Sequence, residues 1–318
     1  MNAVLKLDKT RIRRSFAAAS GTYDSVAQLQ RNVGKELLRL VGVESLTGTL
    51  LDLGCGTGFL TSEMLRLKPN HADSVCIGTA EHRVSFVSPS PQPSRQPLLR
   101  CSNYLHPCRH PAGEGAECRF INSEVYIIAL DIAWSMLQTT RRKLSDHEGV
   151  VYLCADAEYL PLADQSVDSV MSNLALQWCV NLTAVFADIK RVLKADGRLF
   201  FSTFGPETLK ELKAAWSGVD DYHHVNEFYG EEQIRTFLLQ AGFSDIRMQR
   251  ITYLSRYDSV MALMVELKNI GAHNVTAGRN KNFTTKTRLQ QMIAAYEKHR
   301  VDGQIPATFD VILVSASK

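Results

Sequence analysis

A glycine-rich turn after a short apolar run is the feature that most constrains the fold of this chain. Residues 49–60 read TLLDLGCGTGFL, so a strand-like run and Asp52 precede three alternating glycines. These are Gly54, Gly56 and Gly58. Because glycine has no Cβ, such a turn lets the backbone and a ligand approach closely at the start of a helix. A dinucleotide turn needs G-x-G-x-x-G, but the sixth position here is Phe59. The spacing therefore predicts a ligand-binding strand, turn and helix of another kind.

Apolar runs and helical patterns alternate along most of the remaining sequence. The runs that predict strands, besides that at the glycine turn, are 125–132, 150–154, 167–172, 197–203, 246–254 and 308–315. Helices are predicted at 133–144, 181–194 with Asn181 as N-cap, 206–216 with Pro206 in the first turn, 231–241, 259–270 and 284–300. This alternation is typical of a parallel sheet. We predict a single α/β domain over residues 1–318, with a Rossmann-like, doubly wound and mostly parallel seven-stranded sheet.

Residues 71–124 interrupt the alternation. Neither the helical nor the strand period persists there, and SPSPQPSRQP at 88–97 predicts extended or disordered chain. In a nucleotide-binding unit the acid that ends the second strand follows the glycine turn by about 20 residues. Here Asp131 follows Gly58 by 73 positions, and removal of the irregular segment restores the usual spacing. We therefore predict an irregular, disordered insertion between the first helix and second strand, on the edge of the sheet away from the ligand.

The turn and the acid before it resemble the first motif of class I S-adenosylmethionine-dependent methyltransferases. The resemblance implies S-adenosyl-L-methionine as cofactor, with the three glycines against it and Asp52 near its cationic methionine end. Asp131, at the end of the second strand, suits the ribose because a carboxylate accepts hydrogen bonds from both hydroxyls. Met136 follows in the helix that would flank the adenine, although a core-filling role is the alternative.

Two further strand ends complete the predicted cofactor site. Asp156 follows the third strand and suits an acid that accepts a hydrogen bond from the adenine amino group. The backbone N–H of Ala157 would then meet a ring nitrogen. Asn173 ends the fourth strand, where the amino-acid part of the cofactor and the methyl acceptor meet, and a simple turn residue is its alternative role.

The residues after the fourth strand narrow the acceptor. Nucleic-acid amino methyltransferases carry Asn or Asp, two prolines and an aromatic residue at that point, whereas this chain reads SNLALQW at 172–178. A net charge of +3 is also too small to indicate a nucleic-acid partner. No convincing cluster of acids predicts a metal-dependent catechol-type enzyme. A small or carrier-linked acceptor remains.

Several longer segments are similar to the malonyl-acyl-carrier-protein O-methyltransferases of biotin synthesis. They are SFAAASGTYDSVAQLQ at 15–30, LALQWC at 174–179, STFGPETLKEL at 202–212, HVNEF at 224–228, LKNIGAHNVTAGR at 267–279 and AAYEKHRVDGQIPATFDV at 294–311. The resemblance implies methyl transfer to the free carboxylate of malonyl-acyl-carrier protein, or of malonyl-CoA. Alternatives are methylation of another small carboxylate or a quinone precursor, and a catalytically silent protein that binds the cofactor.

The same resemblance implies roles for residues outside the sheet. An N-terminal helical lid, residues 1–47, would close over the cofactor, with Tyr23 and Gln28 as contacts. An acidic carrier and a pantetheine phosphate need positive surface, for which the candidates are Arg256, Lys268, Arg279 and Lys281. The chain departs from the family at NKNFTTK, residues 280–286, and in the insertion. No general base is expected, because a malonyl carboxylate is already ionised at pH 7.

The composition also leads to expectations about the cellular compartment, the oligomeric state and a metal site. No apolar run reaches the 18 residues of a membrane span, and the basic, Ala-rich start is interpreted as an amphipathic helix rather than a transit peptide. Seven cysteines without a regular framework suit reduced thiols. We expect a cytoplasmic monomer without a resident metal. A zinc site is the weaker alternative, with candidate ligands Cys101, His106, Cys108, His110 and Cys118.

Overall fold

A computed structural model describes residues 7–42, 46–67, 126–145, 147, 149–272 and 284–318 of the chain. The chain divides into two units, of which the first is Met1–Lys68 with Ser123–Lys318 and the second is Pro69–Asn122. The second unit lies outside the described residues. The predicted insertion at 71–124 and the candidate zinc ligands also lie outside the described residues. The disorder of this insertion, its position at the sheet edge and the zinc site remain predictions.

The described residues form a seven-stranded sheet. Its strands are β1 (Thr49–Leu53), β2 (Tyr126–Asp131), β3 (Val150–Cys154), β4 (Val167–Asn173), β5 (Leu193–Phe204), β6 (Ser244–Tyr257) and β7 (Ile305–Ser317). They lie in the order β3-β2-β1-β4-β5-β7-β6. The first five pair in parallel, and β7 is antiparallel to both of its neighbours. The predicted doubly wound, mostly parallel sheet is confirmed, and its strand order reverses between β1 and β4.

Ten α-helices of the described residues accompany the sheet. They are α1 (Lys9–Ala19), α2 (Tyr23–Val26), α3 (Gln28–Val41), α4 (Phe59–Arg66), α5 (Trp134–Lys143), α6 (Leu182–Val192), α7 (Lys210–Ser217), α8 (Glu231–Gln240), α9 (Val260–Asn269) and α10 (Lys286–Glu297). Asn181 caps α6 as predicted, because its side chain accepts a hydrogen bond from the N–H of Ala184 at 3.1 Å. None of the described helices is long and apolar enough to cross a membrane.

The helix predicted to begin at Pro206 is wrong in its start. Residues 206–209 form a turn against β7, and α7 begins at Lys210. The N–H of Leu209 donates to the carbonyl of Thr308 at 2.7 Å, and the N–H of Glu207 donates to the Asp310 carboxylate at 3.1 Å. Bonds to a distant strand therefore replace the first helical turn, and Leu209 adopts a left-handed φ of 55°.

The central parallel strands β1 and β4 are buried on both faces of the sheet. Leu51 and Leu53 pack with α6 and α8 on one face, while Leu50 packs with α3 and α4 on the other. A strand covered on both faces reads as a continuous apolar run, which is why β1 was visible in the sequence. The burial of these strands fixes the positions at which their carboxyl ends present polar side chains.

Candidate active site

A cleft lies at the carboxyl ends of β1, β2, β3 and β4, next to the point where the strand order reverses. We call it the first cleft, and it measures about 690 Å³ with its open mouth. Eight predicted cofactor residues line it, namely Tyr23, Gly54, Gly56, Asp131, Met136, Asp156, Ala157 and Asn173. Ligands of open α/β sheets bind at such a reversal point. The fold therefore brings most of the predicted residues to one place.

Each of the three glycines of the turn is needed for a different structural reason. All have positive φ, at 79° for Gly54, 56° for Gly56 and 84° for Gly58, which favours glycine. A Cβ on Gly54 would lie 2.4 Å from the side chain of Ala175, and one on Gly58 would lie 2.5 Å from that of Thr140. A Cβ on Gly56 would meet no described atom within 4 Å. Gly56 therefore keeps open the face that a ligand would occupy.

Asp131 connects the glycine turn to the start of α5. Its Oδ2 accepts a hydrogen bond from the N–H of Gly56 at 3.0 Å, and its Oδ1 accepts one from the N–H of Ala133 at 2.8 Å. The side chain is buried, and this burial raises the pKa of Asp131 to about 6, against the opposing effect of the backbone hydrogen bonds. Each carboxylate oxygen can accept more than one hydrogen bond, so the group can also bind hydroxyls in the first cleft.

A second pocket adjoins the first cleft on the other side of the glycine turn. We call it the loop pocket; it shares Tyr23 and Asn173 with the first cleft, and its lining includes Asp52 and Gly58. Asp52 is buried and accepts a hydrogen bond from the hydroxyl of Thr61 through Oδ2. Its Oδ1 is buried without a hydrogen-bond partner among the described residues. Burial raises the pKa of Asp52 to about 7.

Arg31 also lines the loop pocket, and the sequence analysis missed it. Gln28, by contrast, is exposed and lies outside both the first cleft and the loop pocket. The two are connected, because the guanidinium of Arg31 donates to Oε1 of Gln28 at 3.0 Å and to the carbonyl of Asp24 at 2.7 Å. The structure therefore gives Gln28 a positioning contact with Arg31 rather than a place in the cleft.

Asn173 and Met136 both line the first cleft, but their environments differ. The Asn173 side chain donates to the carbonyl of Gln30 at 2.8 Å and accepts from the Ser202 hydroxyl at 2.8 Å. Its polar atoms therefore connect α3 to the sheet. Met136 is buried against Ala19 of α1. Both residues shape the cleft through packing and hydrogen bonds within the protein.

Helices α1 and α2 lie against the first cleft and are held there by ionic contacts. Lys9 of α1 lines the cleft, and its Nζ is 2.8 Å from Asp156 Oδ1 and 2.8 Å from Glu158 Oε1. Asp24 of α2 accepts a hydrogen bond from the hydroxyl of Thr57 at 2.6 Å and is paired with Lys143. Lys9 belongs to no recognisable motif, so no local pattern indicated that it would line the cleft.

A larger cavity lies beside the first cleft, among the C-terminal helices. This C-terminal cleft measures about 1760 Å³ with its mouth and is lined by apolar side chains, including Trp178, which also lines the first cleft. The ring of Trp178 meets that of Phe16 edge to face, with 5.4 Å between centroids. Of the predicted carrier-binding residues, Lys268 lines the cleft, whereas Arg256 is exposed on β6 and outside it. Arg279 and Lys281 lie outside the described residues.

The residues present fit S-adenosyl-L-methionine. Asp131 offers acceptors for ribose hydroxyls, and Gly56 leaves the adjacent space open. The orphaned oxygen of Asp52 and the guanidinium of Arg31 lie in one pocket, which suits a ligand that carries both an ammonium and a carboxylate. The described residues contain no group of three or more His, Cys, Asp or Glu side chains arranged to hold a metal ion.

Comparison with known proteins supports the same class of enzyme. A family described as "Methyltransferase domain" matches residues 112–201. A malonyl-[acyl-carrier protein] O-methyltransferase of Gallionella capsiferriformans is 35% identical over 98% of this chain and 91% of its own length. One from a Methylovorus species is 37% identical over 98% of this chain and 90% of that protein. The chain belongs to the malonyl-[acyl-carrier protein] O-methyltransferase family.

A longer relative is named as bifunctional, and solved structures share the fold of this chain. A bifunctional biotin-biosynthesis protein of Cellvibrio japonicus, BioHC, is 34% identical over 96% of this chain and 49% of its own length. The YcgJ protein of Bacillus subtilis matches with a TM-score of 0.53 at 14% identity, over 89% of this chain and 98% of that one. A likeness at such low identity shows the fold alone. Family membership confirms the resemblance that was inferred from six segments between residues 15 and 311.

Proposed function

We propose that this chain transfers a methyl group from S-adenosyl-L-methionine to the free carboxylate of malonyl-acyl-carrier protein, which gives the malonyl methyl ester used in biotin synthesis. The names of its full-length relatives support this proposal. The structural observation that most supports this proposal is a wall that two clefts share. Trp178 lines both the first cleft, which suits the cofactor, and the large C-terminal cleft, which suits an acyl substrate.

Residues of the first cleft and of the loop pocket would bind different parts of the cofactor. Asp131 would bind the ribose, and Asp156 with the N–H of Ala157 would bind the adenine. Arg31 would pair with the methionine carboxylate, and Asp52 would meet the ammonium directly or through water. When bound, S-adenosyl-L-methionine supplies an electrophilic methyl group on a sulfonium centre. In their ionised forms, Asp52 and Asp131 favour a cationic cofactor in this region.

The protein then has to position the malonyl carboxylate against the methyl group and to remove water from that carboxylate. A malonyl carboxylate has an ordinary pKa near 4 and is ionised at pH 7, so no residue has to remove a proton. Alignment of the two reacting groups and exclusion of water lower the barrier of such a displacement. Phe16 and Trp178 provide apolar cover beside the first cleft. We therefore expect no acid–base residue whose loss abolishes turnover.

The size and lining of the C-terminal cleft favour a tethered acyl group over the alternatives. A free small acid or a compact quinone precursor would leave most of this largely apolar cleft, which extends from Trp178 to Lys268, unoccupied. A silent cofactor-binding protein needs no such cleft next to the cofactor. An acyl-carrier protein is thus the partner that the geometry supports best, with malonyl-CoA as the smaller version of the same substrate.

Methyl transfer from labelled cofactor tests the proposal. The full chain is incubated with malonyl-carrier protein, malonyl-CoA, free malonate and a quinone precursor in parallel. We expect base-labile label mainly on the malonyl-carrier protein. Label only on a free acid or the quinone precursor would favour the alternative methyltransferases, and cofactor binding without any transfer would favour the silent protein. Size-exclusion chromatography of the same sample tests the expected monomer.

A further inference from the structure

The carboxyl end of α9 forms part of the wall of the C-terminal cleft. The chain leaves this helix at Gly271, which has a positive φ of 77°. The N–H of Gly271 donates to the carbonyl of Lys268 at 3.0 Å, and the N–H of Ala272 donates to that of Leu267 at 2.9 Å. These paired hydrogen bonds are the Schellman ending of a helix. Leu267, Lys268 and Ala272 all line the C-terminal cleft, so its shape depends on this helix end.

The same helix end also packs against α1 and the start of α2. The hydroxyl of Thr22, just before α2, lies 3.0 Å from the carbonyl oxygen of Asn269 and 3.2 Å from that of Ala19. The last carbonyls of a helix have no partner within the helix, and Thr22 supplies a donor to one of them. A Cβ on Gly271 would lie 3.1 Å from Cδ1 of Phe16 and 3.3 Å from Cβ of Ala19. Close approach of α1 therefore also requires glycine at this position.

Phe16 of α1 gives a second connection between the two clefts. Its side chain lines the first cleft and meets the ring of Trp178, which lines both clefts. Phe16 also lies against Gly271 at the end of α9. A ligand that packs on Phe16 in the first cleft therefore stabilises contacts that reach the C-terminal cleft through Trp178 and through α9.

The three helices that join the clefts have little buried surface of their own. Two residues of α1 are buried, none of α2 and two of α9. The ion pairs of Lys9 and Asp24, all of them partly exposed, hold α1 and α2 at the first cleft. Elements with few buried apolar contacts open locally at a low free-energy cost. The order of these helices should therefore depend on what occupies the first cleft.

We propose that α1 and α2 couple the two clefts, so that cofactor bound in the first cleft orders the carboxyl end of α9 and raises the affinity of the C-terminal cleft for the acyl substrate. Thr22 and Phe16 are the positioning residues of this coupling. The inference rests on the proposed function, because it takes the C-terminal cleft to be the acyl site. A first ligand that has already ordered the shared helices leaves less ordering for the second ligand. Coupling of this kind is reciprocal, so the acyl substrate must tighten cofactor binding by the same factor.

The coupling gives the reaction a preferred order of binding. Without cofactor, the end of α9 is less ordered and the acyl substrate binds weakly. With cofactor beneath α1 and α2, the acyl substrate meets a preformed wall. The acyl cleft is then occupied mainly when a methyl donor is already in place.

Hydrogen exchange of the α9 amides tests the coupling without any acyl substrate. Exchange is measured with and without saturating S-adenosylhomocysteine in the wild type, Thr22→Val, Thr22→Ser and Ser25→Ala. Thr22→Val removes the donor to Asn269 and keeps the shape of the side chain, whereas Thr22→Ser keeps the donor. Ser25→Ala is the matched control, because it removes a hydroxyl of α2 whose hydrogen bond, to the carbonyl of Thr22 at 2.7 Å, stays within the same turn.

We expect S-adenosylhomocysteine to slow exchange at the carboxyl end of α9 about fivefold or more in the wild type, Thr22→Ser and Ser25→Ala, and less than about twofold in Thr22→Val. Calorimetry with malonyl-CoA should show an affinity about fivefold or more higher in the presence of S-adenosylhomocysteine, and Thr22→Val should lose most of this increase. The Tm of Thr22→Val should change little, because Thr22 is exposed. Equal protection of α9 in Thr22→Val and the wild type would overturn the role of Thr22. No protection of α9 in the wild type would overturn the coupling itself.

Failure of the proposed function gives a different result. If the wild type binds S-adenosylhomocysteine but neither binds nor methylates a malonyl substrate, the proposed function fails, and protection of α9 that depends on Thr22 still supports the coupling. If the wild type methylates malonyl-CoA while α9 exchange and malonyl-CoA affinity do not respond to S-adenosylhomocysteine, the function stands and the coupling is overturned. If S-adenosylhomocysteine does not bind, both are overturned.

Discussion

Replacement of Asp131 by Asn is the most informative single change in the first cleft. The carboxylate accepts hydrogen bonds from the N–H groups of Gly56 and Ala133, and it remains able to accept from two ribose hydroxyls. An asparagine amide keeps the size of the side chain but has one acceptor oxygen. Its NH₂ group would face one of the two backbone N–H donors. The change therefore weakens the glycine turn and the proposed ribose site together.

The expected magnitude follows from these hydrogen bonds. A hydrogen bond to a charged group contributes about 1.5–3 kcal/mol, and a neutral one contributes about 1 kcal/mol. Loss of the charge and of one acceptor should lower cofactor affinity by about 1 to 3 kcal/mol, or roughly 5- to 150-fold in Kd. The free energy of unfolding should change less, because the raised pKa of Asp131 shows that burial of its charge already costs stability.

Calorimetric titration with S-adenosylhomocysteine measures this effect directly. The control is Asp164→Asn, which removes the charge of an exposed acid that pairs with Arg191 away from the clefts. We expect wild-type affinity for the control and a weakened complex for Asp131→Asn. A folded Asp131→Asn protein with unchanged affinity would refute the ribose assignment.

Three further predictions concern pH, the N-terminal helices and the glycine turn. Burial raises the pKa of Asp131 to about 6 and that of Asp52 to about 7, whereas a cationic cofactor favours the ionised form of both groups. Cofactor binding should therefore release protons, and the affinity should increase from pH 5 to pH 8. Calorimetry in buffers of different ionisation enthalpy measures both effects. In the unliganded protein the sign is opposite: the folded form holds these protons more tightly than the unfolded chain, so the contribution of the two groups to stability falls as pH rises from about 4 to 7 in a denaturant series. Lys9→Ala removes partly exposed ion pairs, so it should lower the free energy of unfolding by less than about 1 kcal/mol. The same change should speed cofactor dissociation in stopped-flow measurements. An unchanged dissociation rate would argue against a lid role for α1. Gly54→Ala should lower stability by about 1 to 3 kcal/mol because of its positive φ and the close neighbour, whereas Gly21→Ala, with open space around it, should be neutral in the same thermal melts.

The sequence predicted the sheet and the acids at its strand ends because both depend on local signals. A buried parallel strand is a continuous apolar run, and the residue after it lies at the ligand-binding edge. Asp131 and Asp156 could therefore be assigned from position alone. The helix predicted from Pro206 failed for the opposite reason. Its first turn bonds to Thr308 and Asp310 on β7, about a hundred residues away, and no local pattern records that competition.

The parts of the site that the sequence missed are built by long-range contacts. Lys9 reaches Asp156 across 147 positions of the chain, and Trp178 separates the first cleft from the C-terminal cleft, whose other walls come mostly from helices about 30 to 110 residues further along the chain. Arg31 was missed because a surface arginine in an amphipathic helix has no distinctive spacing. Gln28, which resemblance suggested as a cofactor contact, lies outside the first cleft and the loop pocket and accepts a hydrogen bond from Arg31. The resemblance also suggested Tyr23, which lines both the first cleft and the loop pocket.

The mass spectrum of a malonyl carrier after reaction shows whether this chain methylates the malonyl carboxylate. Malonyl-acyl-carrier protein is incubated with the full chain and S-adenosyl-L-methionine, and the carrier is analysed intact and after mild base. We expect one methyl group to be added to the malonyl moiety and to be lost on ester hydrolysis, in an amount equal to the S-adenosylhomocysteine formed. A carrier that stays unmethylated while the protein binds the cofactor tightly, or a methyl group that resists base, would contradict this expectation.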